Sequence, residues 1–201
     1  MDRTTGPTDR TPQNARDQAL VERARAGDLA AFNQLVELYQ DYLYAMTMRM
    51  VRQRDIAEDA VQEAFFSAYR NLDRFSGSSF RAWLTRIAIN AARDILRRKK
   101  RRPSEPYPEW EDDTWQPPAP ASEGPEQVSL VGQQRSALAR AMAAITDDQR
   151  TAIILSDVQG YDYAEIASLT GVSVGTVKSR IHRGRLALRE LLGPDMELFR
   201  G

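Results

Sequence analysis

The stretch Tyr163–Leu191, YAEIASLTGVSVGTVKSRIHRGRLALREL, reads as two short helices broken at Gly171. Asp162 with Glu165 three residues on starts the first helix as a capping box, and Ser173 opens the second. Val174, Val177, Ile181 and Leu188 bury one side of that second helix and leave Thr176, Ser179, His182 and Arg183 on the opposite side. Lys178, Arg180, Arg183, Arg185 and Arg189 meet no acid before Glu190. A tight turn, a capped second helix and outward hydrogen-bonding side chains near its N-terminus are what a helix-turn-helix needs to enter a major groove. A plain helical hairpin with a solvated basic face would account for the charge but not for the Gly-x-Ser turn.

Working outward, Thr146 and Gln149 bracket another helix start, and Gly160 suits that helix's end. Upstream lies PSEPYPEWEDDTWQPPAPASEGPEQ, residues 103–127, with seven of the chain's ten prolines, seven acids and no base. It has no helical period and reads as an acidic, semi-extended linker. The chain is therefore expected to be all-α, in two small helical modules joined by a strap. The boundaries are a disordered tail over 1–15, a first module over 16–102, the linker over 103–130, a second module over 131–193 and a tail over 194–201.

The formal net charge of zero hides this segregation. Residues 16–102 carry 17 bases against 11 acids, and residues 128–201 carry 9 against 8. A partner meets each block separately, so the total is the wrong descriptor. With no cysteine, disulfides, thiolate metal sites and a cysteine nucleophile are excluded. No apolar run is long enough to span a bilayer, and the first residues lack the apolar core of a signal peptide, so a soluble cytoplasmic protein is expected. His182, the single histidine, has no second base or ligand cluster at metal spacing, and no Gly-rich loop suits a phosphate, so neither catalysis nor a cofactor is expected.

The first module has the same helix grammar. Asp28 can cap a helix whose apolar positions run from Phe32 through Leu35, Tyr39, Leu43 and Met46 to Met50. Asp55 with Glu58 makes a box-like start for the next, with Ile56, Ala60, Ala64, Phe65, Ala68 and Leu72 inward and Asp59, Gln62 and Glu63 outward. After the loop DRFSGSS, a third helix buries Phe80, Trp83, Leu84, Ile87, Ala88, Ala91 and Ile95. It presents Arg86, Asn90, Arg93 and Arg97 on one flank that runs into RRKKRR. Asn90 among arginines, with Ile89 apolar on an exposed side, suits nucleotides that have left the duplex.

Together these residues resemble a bacterial RNA polymerase sigma factor of the extracytoplasmic-function group, the short kind with only regions 2 and 4. DIAEDAVQEAFFSAYRNLDRF looks like the core-polymerase segment of region 2, FRAWLTRIAINAARDILRRKKRR like the melting and minus-ten segment, and Tyr163–Leu191 like region 4. Ala60 and Ala64 stand where that family more often has larger residues. The resemblance implies that Asp59, Gln62 and Glu63 dock on the clamp of the largest polymerase subunit, with the flap of the second subunit as a further contact. It implies that Asp73, Arg74, Phe75 and Ser76 of the loop, with Arg86, Asn90, Arg93 and Arg97, hold the melted minus-ten element. Thr176, Lys178, Ser179, Arg180, His182 and Arg183 would read the minus-thirty-five element as duplex. Promoter DNA and core RNA polymerase are then the partners, with room for an anti-sigma factor, and phosphoryl transfer belongs to the polymerase.

The division suits the physics. Base edges are distinguishable in the major groove, so a duplex reader can be one capped helix. Strand opening needs pockets or stacking faces for bases and arginines for phosphates. A linker of about 25 residues reaches at most ~80 Å at ~3.3 Å each, enough for two turns of DNA at ~34 Å each. The alternative is a helix-turn-helix activator that never enters the polymerase holoenzyme, which would leave the Asp59 face and the Asn90 flank without a role. An RNA-binding adaptor would instead prefer structured RNA.

Overall fold

The computed structural model of the chain describes residues 11–77, 79–101 and 125–195. All regular structure among them is helical: α1 Thr11–Arg25, α2 Leu29–Val51, α3 Arg54–Arg70, a 3-10 turn Leu72–Arg74, α4 Phe80–Arg101, α5 Pro125–Ala144, α6 Asp147–Ile153, α7 Tyr163–Thr170 and α8 Val174–Leu192. None of these helices is long and apolar enough to cross a membrane.

The caps explain where most helices begin. Asp28 accepts from the Ala31 amide at 3.1 Å and starts α2. Thr146 with Gln149 and Asp162 with Glu165 form reciprocal boxes at α6 and α7, each satisfying two amide donors that a helix start leaves orphaned. The expected box at Asp55 and Glu58 is absent: α3 opens two residues earlier, after Gln53, which makes no side-chain cap bond. Asp55 turns to Lys99 at 3.3 Å and Glu58 to Arg54 at 2.8 Å instead. At its far end α6 widens into one π turn, Ile154–Val158, before Gly160 takes a left-handed φ of 73°.

In the first module α3 packs most extensively on α4. Ala57, Ala60, Ala64 and Ala68 are all fully buried, and their small side chains allow two helix backbones to approach closely. The alanines at 60 and 64 are thus packing residues. Phe75, Phe80 and Trp83 form an aromatic cluster with ring centroids 5.3–5.7 Å apart.

α1 begins at Thr11, five residues ahead of the expected module edge, so part of the expected tail 1–15 is helix. Its inward face is small, Leu20, Val21 and Ala24 with Asp17, and gives little periodicity to read. α5 likewise begins at Pro125, inside the span 103–130 expected as linker. The remainder of that acidic strap lies outside the described residues.

Asp17 is 1% exposed, and the Tyr39 hydroxyl and Gln13 amide both donate to its carboxylate. Burial nevertheless raises its pKa above the ordinary carboxylate value, against the opposing pull of those hydrogen bonds and of Arg16. The folded state then binds the proton more tightly than the unfolded one. This site's contribution becomes more favourable as pH falls through the folded pKa, and is fully gained below the unfolded value. Asp17→Asn is expected to flatten the pH dependence of the melting temperature across that window, measured by circular dichroism from neutral pH to about pH 4.

The two modules pack directly on one another, α4 against α7 and α2 against α6, and their buried residues form one continuous core. Tyr42, Thr85 and Tyr161 bring three hydroxyls together at 3.2–3.5 Å across this junction.

Candidate nucleic-acid interface

The helix-turn-helix is built as the sequence pattern predicts at its turn. Gly171 closes α7 at φ 69°, a conformation that glycine adopts without Cβ strain. The Ser173 hydroxyl accepts from the Thr176 amide at 3.1 Å and so starts α8. Val177 and Ile181 are buried and Leu188 half-buried, as expected, whereas Val174 is 38% exposed because it sits in the first turn of α8, beyond the reach of the core. Gly184 is buried, and a Cβ there would fall 2.6 Å from the Ile153 Cδ1 and 3.2 Å from the Gln149 Cβ. Its lack of a side chain sets how closely α8 lies on α6.

On the opposite face Lys178, His182 and Arg183 are exposed, with Thr176 and Ser179 half-buried. Arg183 donates to the Ser179 hydroxyl at 2.6 Å, so the two groups are held together one turn apart. Arg180 is engaged differently: it pairs with Asp148 at the start of α6. Arg185 pairs with Asp157 at 3.1 Å.

On α4, Arg86, Asn90 and Arg97 are exposed, as the flank requires. Arg93 is half-buried and donates to the Thr170 carbonyl at 3.1 Å and to Asp148 at 3.4 Å. Burial lowers its pKa, opposed by the charge of Asp148. Ile89, expected on an exposed side, is completely buried. It lies one turn from both Thr85 and Arg93, each of which touches the second module, and belongs to the continuous core.

The loop after α3 is anchored from behind. Arg25 donates to the Leu72 carbonyl at 2.9 Å and also to that of Phe75. Asp73, Arg74 and Ser76 are exposed, but Phe75 is 3% exposed inside the aromatic cluster. A ring buried there holds the loop in place, so of the loop residues expected at the minus-ten element Phe75 alone is turned inward in the free chain.

Asp59, Gln62 and Glu63 are exposed on α3. Beside them a groove of about 300 Å³ runs between α2 and α3, with Val36, Tyr44, Val61 and Phe65 as apolar lining and Asp41 and Glu58 among its polar residues. Phe66 on the same helix is 61% exposed. The acidic face is legible in the sequence but the groove is not, because its apolar residues are individually ordinary stripe positions.

Residues 35–102 match the family model for sigma-70 region 2, and residues 135–188 that for sigma-70 region 4. The chain is 40% identical over 182 residues to the ECF RNA polymerase sigma-E factor of Escherichia coli K12, covering 89% of this chain and 95% of that protein. It is 38% identical over the same length to the RNA polymerase sigma-H factor of Pseudomonas aeruginosa, covering 94% of it. Among solved structures it resembles CnrH in complex with the cytosolic domain of CnrY, with a TM-score of 0.62 and 26% identity over 90% of this chain and 99% of that one. It also resembles the sigma factor RpoE in complex with the anti-sigma factor NepR from Bartonella quintana, with a TM-score of 0.63 and 29% identity over 81% of this chain and 96% of that one. The chain belongs to the extracytoplasmic-function group of the sigma-70 family and is a polymerase-binding, promoter-specific transcription initiation factor.

Proposed function

We propose that the chain divides promoter reading between two faces and grips core RNA polymerase with a third. The N-terminal half of α8, with Thr176, Lys178, Ser179, Arg180, His182 and Arg183, reads the minus-thirty-five element in the major groove. The flank Arg86, Asn90, Arg93 and Arg97, with Asp73, Arg74 and Ser76 of the loop, holds the melted minus-ten strand. Asp59, Gln62 and Glu63, beside the α2–α3 groove, dock on the polymerase clamp, and the second module meets the flap. The observation that carries this reading is the exposed first turns of α8, capped by Ser173 and bearing Lys178, His182 and the Ser179–Arg183 pair.

The protein acts in the cytoplasm, where its polymerase is, and supplies no catalysis of its own. Two of its structural relatives were captured with protein partners, one of them named as an anti-sigma factor, and a partner of that kind is part of the proposal. Run-off transcription on genomic fragments, with purified core enzyme and the full chain, tests the reading and yields the promoter. Absence of promoter-specific transcripts would overturn it.

Ser179→Ala and Arg183→Ala are each expected to weaken use of that promoter by about 1–3 kcal/mol and to relax preference at one upstream base pair. Because the two side chains hold one another, the double variant should cost less than the sum. Competition between promoter variants in the run-off assay measures both effects. Equal loss on every sequence would mark the pair as phosphate contacts.

A further inference from the structure

α1 ends on a fixed corner. Gly27 turns the chain at φ 92°, Arg23 pairs with Asp28 at 2.6 Å, and Asp28 in turn caps α2. Leu20, Val21 and Ala24 seat α1 in the core, and Asp17 accepts from the Tyr39 hydroxyl of α2. From this corner Arg25 reaches a loop 47 residues further along the chain, the one that follows α3. Its Nε and Nη2 donate to the Leu72 carbonyl at 3.1 and 2.9 Å, Nη2 also donates to the Phe75 carbonyl, and the guanidinium lies 6.0 Å from the centre of the Phe75 ring. The two clamped carbonyls bracket Asp73 and Arg74, whose side chains are exposed, and exposed Ser76 follows directly.

We propose that Arg25 is a positioning residue for the minus-ten reader: it fixes the backbone of the loop so that Asp73, Arg74 and Ser76 meet one displaced base in a single geometry. In this role Arg25 acts through the loop and not on DNA. This rests on the reading that the loop holds the melted strand. α1 lies upstream of residues 35–102, which match region 2, so base selection at the minus-ten element extends to a helix outside that stretch.

The Leu72 carbonyl closes the 3-10 turn by accepting from the Phe75 amide at 3.1 Å, and its second lone pair serves Arg25. One planar guanidinium thus ties the start of the turn to its exit, which a single ammonium has no fork to do. The Phe75 ring, packed on Phe80 and Trp83, holds the loop to the module without fixing how its carbonyls are turned. Arg25 is itself exposed, so water can replace it at both oxygens and its removal takes little from the stability of the fold. What is lost is preorganisation: a loop that must be ordered on binding holds its polar groups less sharply against the wrong base.

The test uses holoenzyme carrying Arg25→Gln or Arg25→Lys. Its probes are single-stranded oligonucleotides with the non-template minus-ten element of the promoter found by run-off transcription, each position changed in turn to the other three bases, at one fixed salt. Both variants are expected to lower discrimination at one position by roughly three- to tenfold, the order of ordering one or two side chains on binding. Association with core enzyme and preference at the minus-thirty-five element stay unchanged. Val21 is fully buried on α1, so Val21→Ala loosens that helix without touching the loop and supplies the structural control. It is expected to lower the melting temperature, followed by circular dichroism, at least as much as the Arg25 variants and yet keep full discrimination. Unchanged discrimination in the Arg25 variants, or an equal loss in Val21→Ala, overturns the positioning role. A loss of affinity that is the same for every base overturns it too, by marking Arg25 as a general phosphate contact. The underlying reading fails separately: if a chain combining Asp73→Ala, Arg74→Ala and Ser76→Ala binds the oligonucleotides with full discrimination, the loop is not a reader, whatever the Arg25 variants show.

Discussion

Asp59→Arg combined with Glu63→Arg is expected to abolish co-purification with core RNA polymerase while leaving the helical circular dichroism spectrum unchanged. Both side chains are exposed on α3, so neither contributes to the alanine stripe that seats this helix on α4. Two acids replaced by two bases change the local charge by four units beside a groove that already carries Asp41 and Glu58. Attraction toward a basic docking surface becomes repulsion, and like charges forced together at an interface cost several kcal/mol. At 1.4 kcal/mol per tenfold, a cost of about 3 kcal/mol lowers affinity more than a hundredfold. The apolar groove residues and Phe66 remain in place, so any residual binding measures the apolar share of the docking energy. A folded double variant that still binds core enzyme normally would return this face to a merely solvated one.

Local grammar was legible in the sequence wherever a cap decides the structure. Thr146 with Gln149, Asp162 with Glu165, and Gly171 with Ser173 each place their helix ends as the pattern predicts. Surfaces shared by the two modules are not legible in the same way. Ile89, expected on an exposed side, is core in the folded chain, and Arg93, expected as an open cation, is half-buried with its guanidinium on the carbonyl of Thr170 at the end of α7. Periodicity assigns faces within one helix and carries no information about a second body more than seventy residues away in the chain. The Asp55–Glu58 box is absent for another reason: α3 already starts at Arg54, so Asp55 lies inside the first turn and cannot cap it, and the two acids pair with Lys99 and Arg54 instead. The resemblance assigns a role to the whole loop, and only the aromatic cluster behind it shows that Phe75 is the loop residue that turns inward.

Nothing in the sequence pattern marks Arg150, and its replacement is expected to be strongly destabilising in the second module. The guanidinium is 5% exposed. It donates to the Met142 carbonyl at 2.7 Å, to that of Ile145 at 3.0 Å, and across the junction to that of Met50 at 2.8 Å, with Asp147 as counter-ion at 3.3 Å. Met142 lies in the last turn of α5, Ile145 just beyond it, and Met50 in the last turn of α2. These are helix C-termini, where carbonyls lack intrahelical partners and the macrodipole is negative. One cation thus caps two helix ends from different modules. Burial lowers the Arg150 pKa while Asp147 opposes that shift, and the guanidinium remains charged throughout the ordinary pH range. Arg150→Ala leaves the carbonyls buried without donors and opens a side-chain cavity, at an expected cost of about 3–5 kcal/mol. That is a large share of the ~5–15 kcal/mol holding an ordinary domain together. Arg150→Lys should recover only part of the loss, because a single ammonium cannot span carbonyls that the planar fork reaches from three nitrogens. Urea denaturation followed by circular dichroism measures both variants. A loss below about 1 kcal/mol for the alanine variant would mean that water replaces the guanidinium at both helix ends, and that the cap holds neither module.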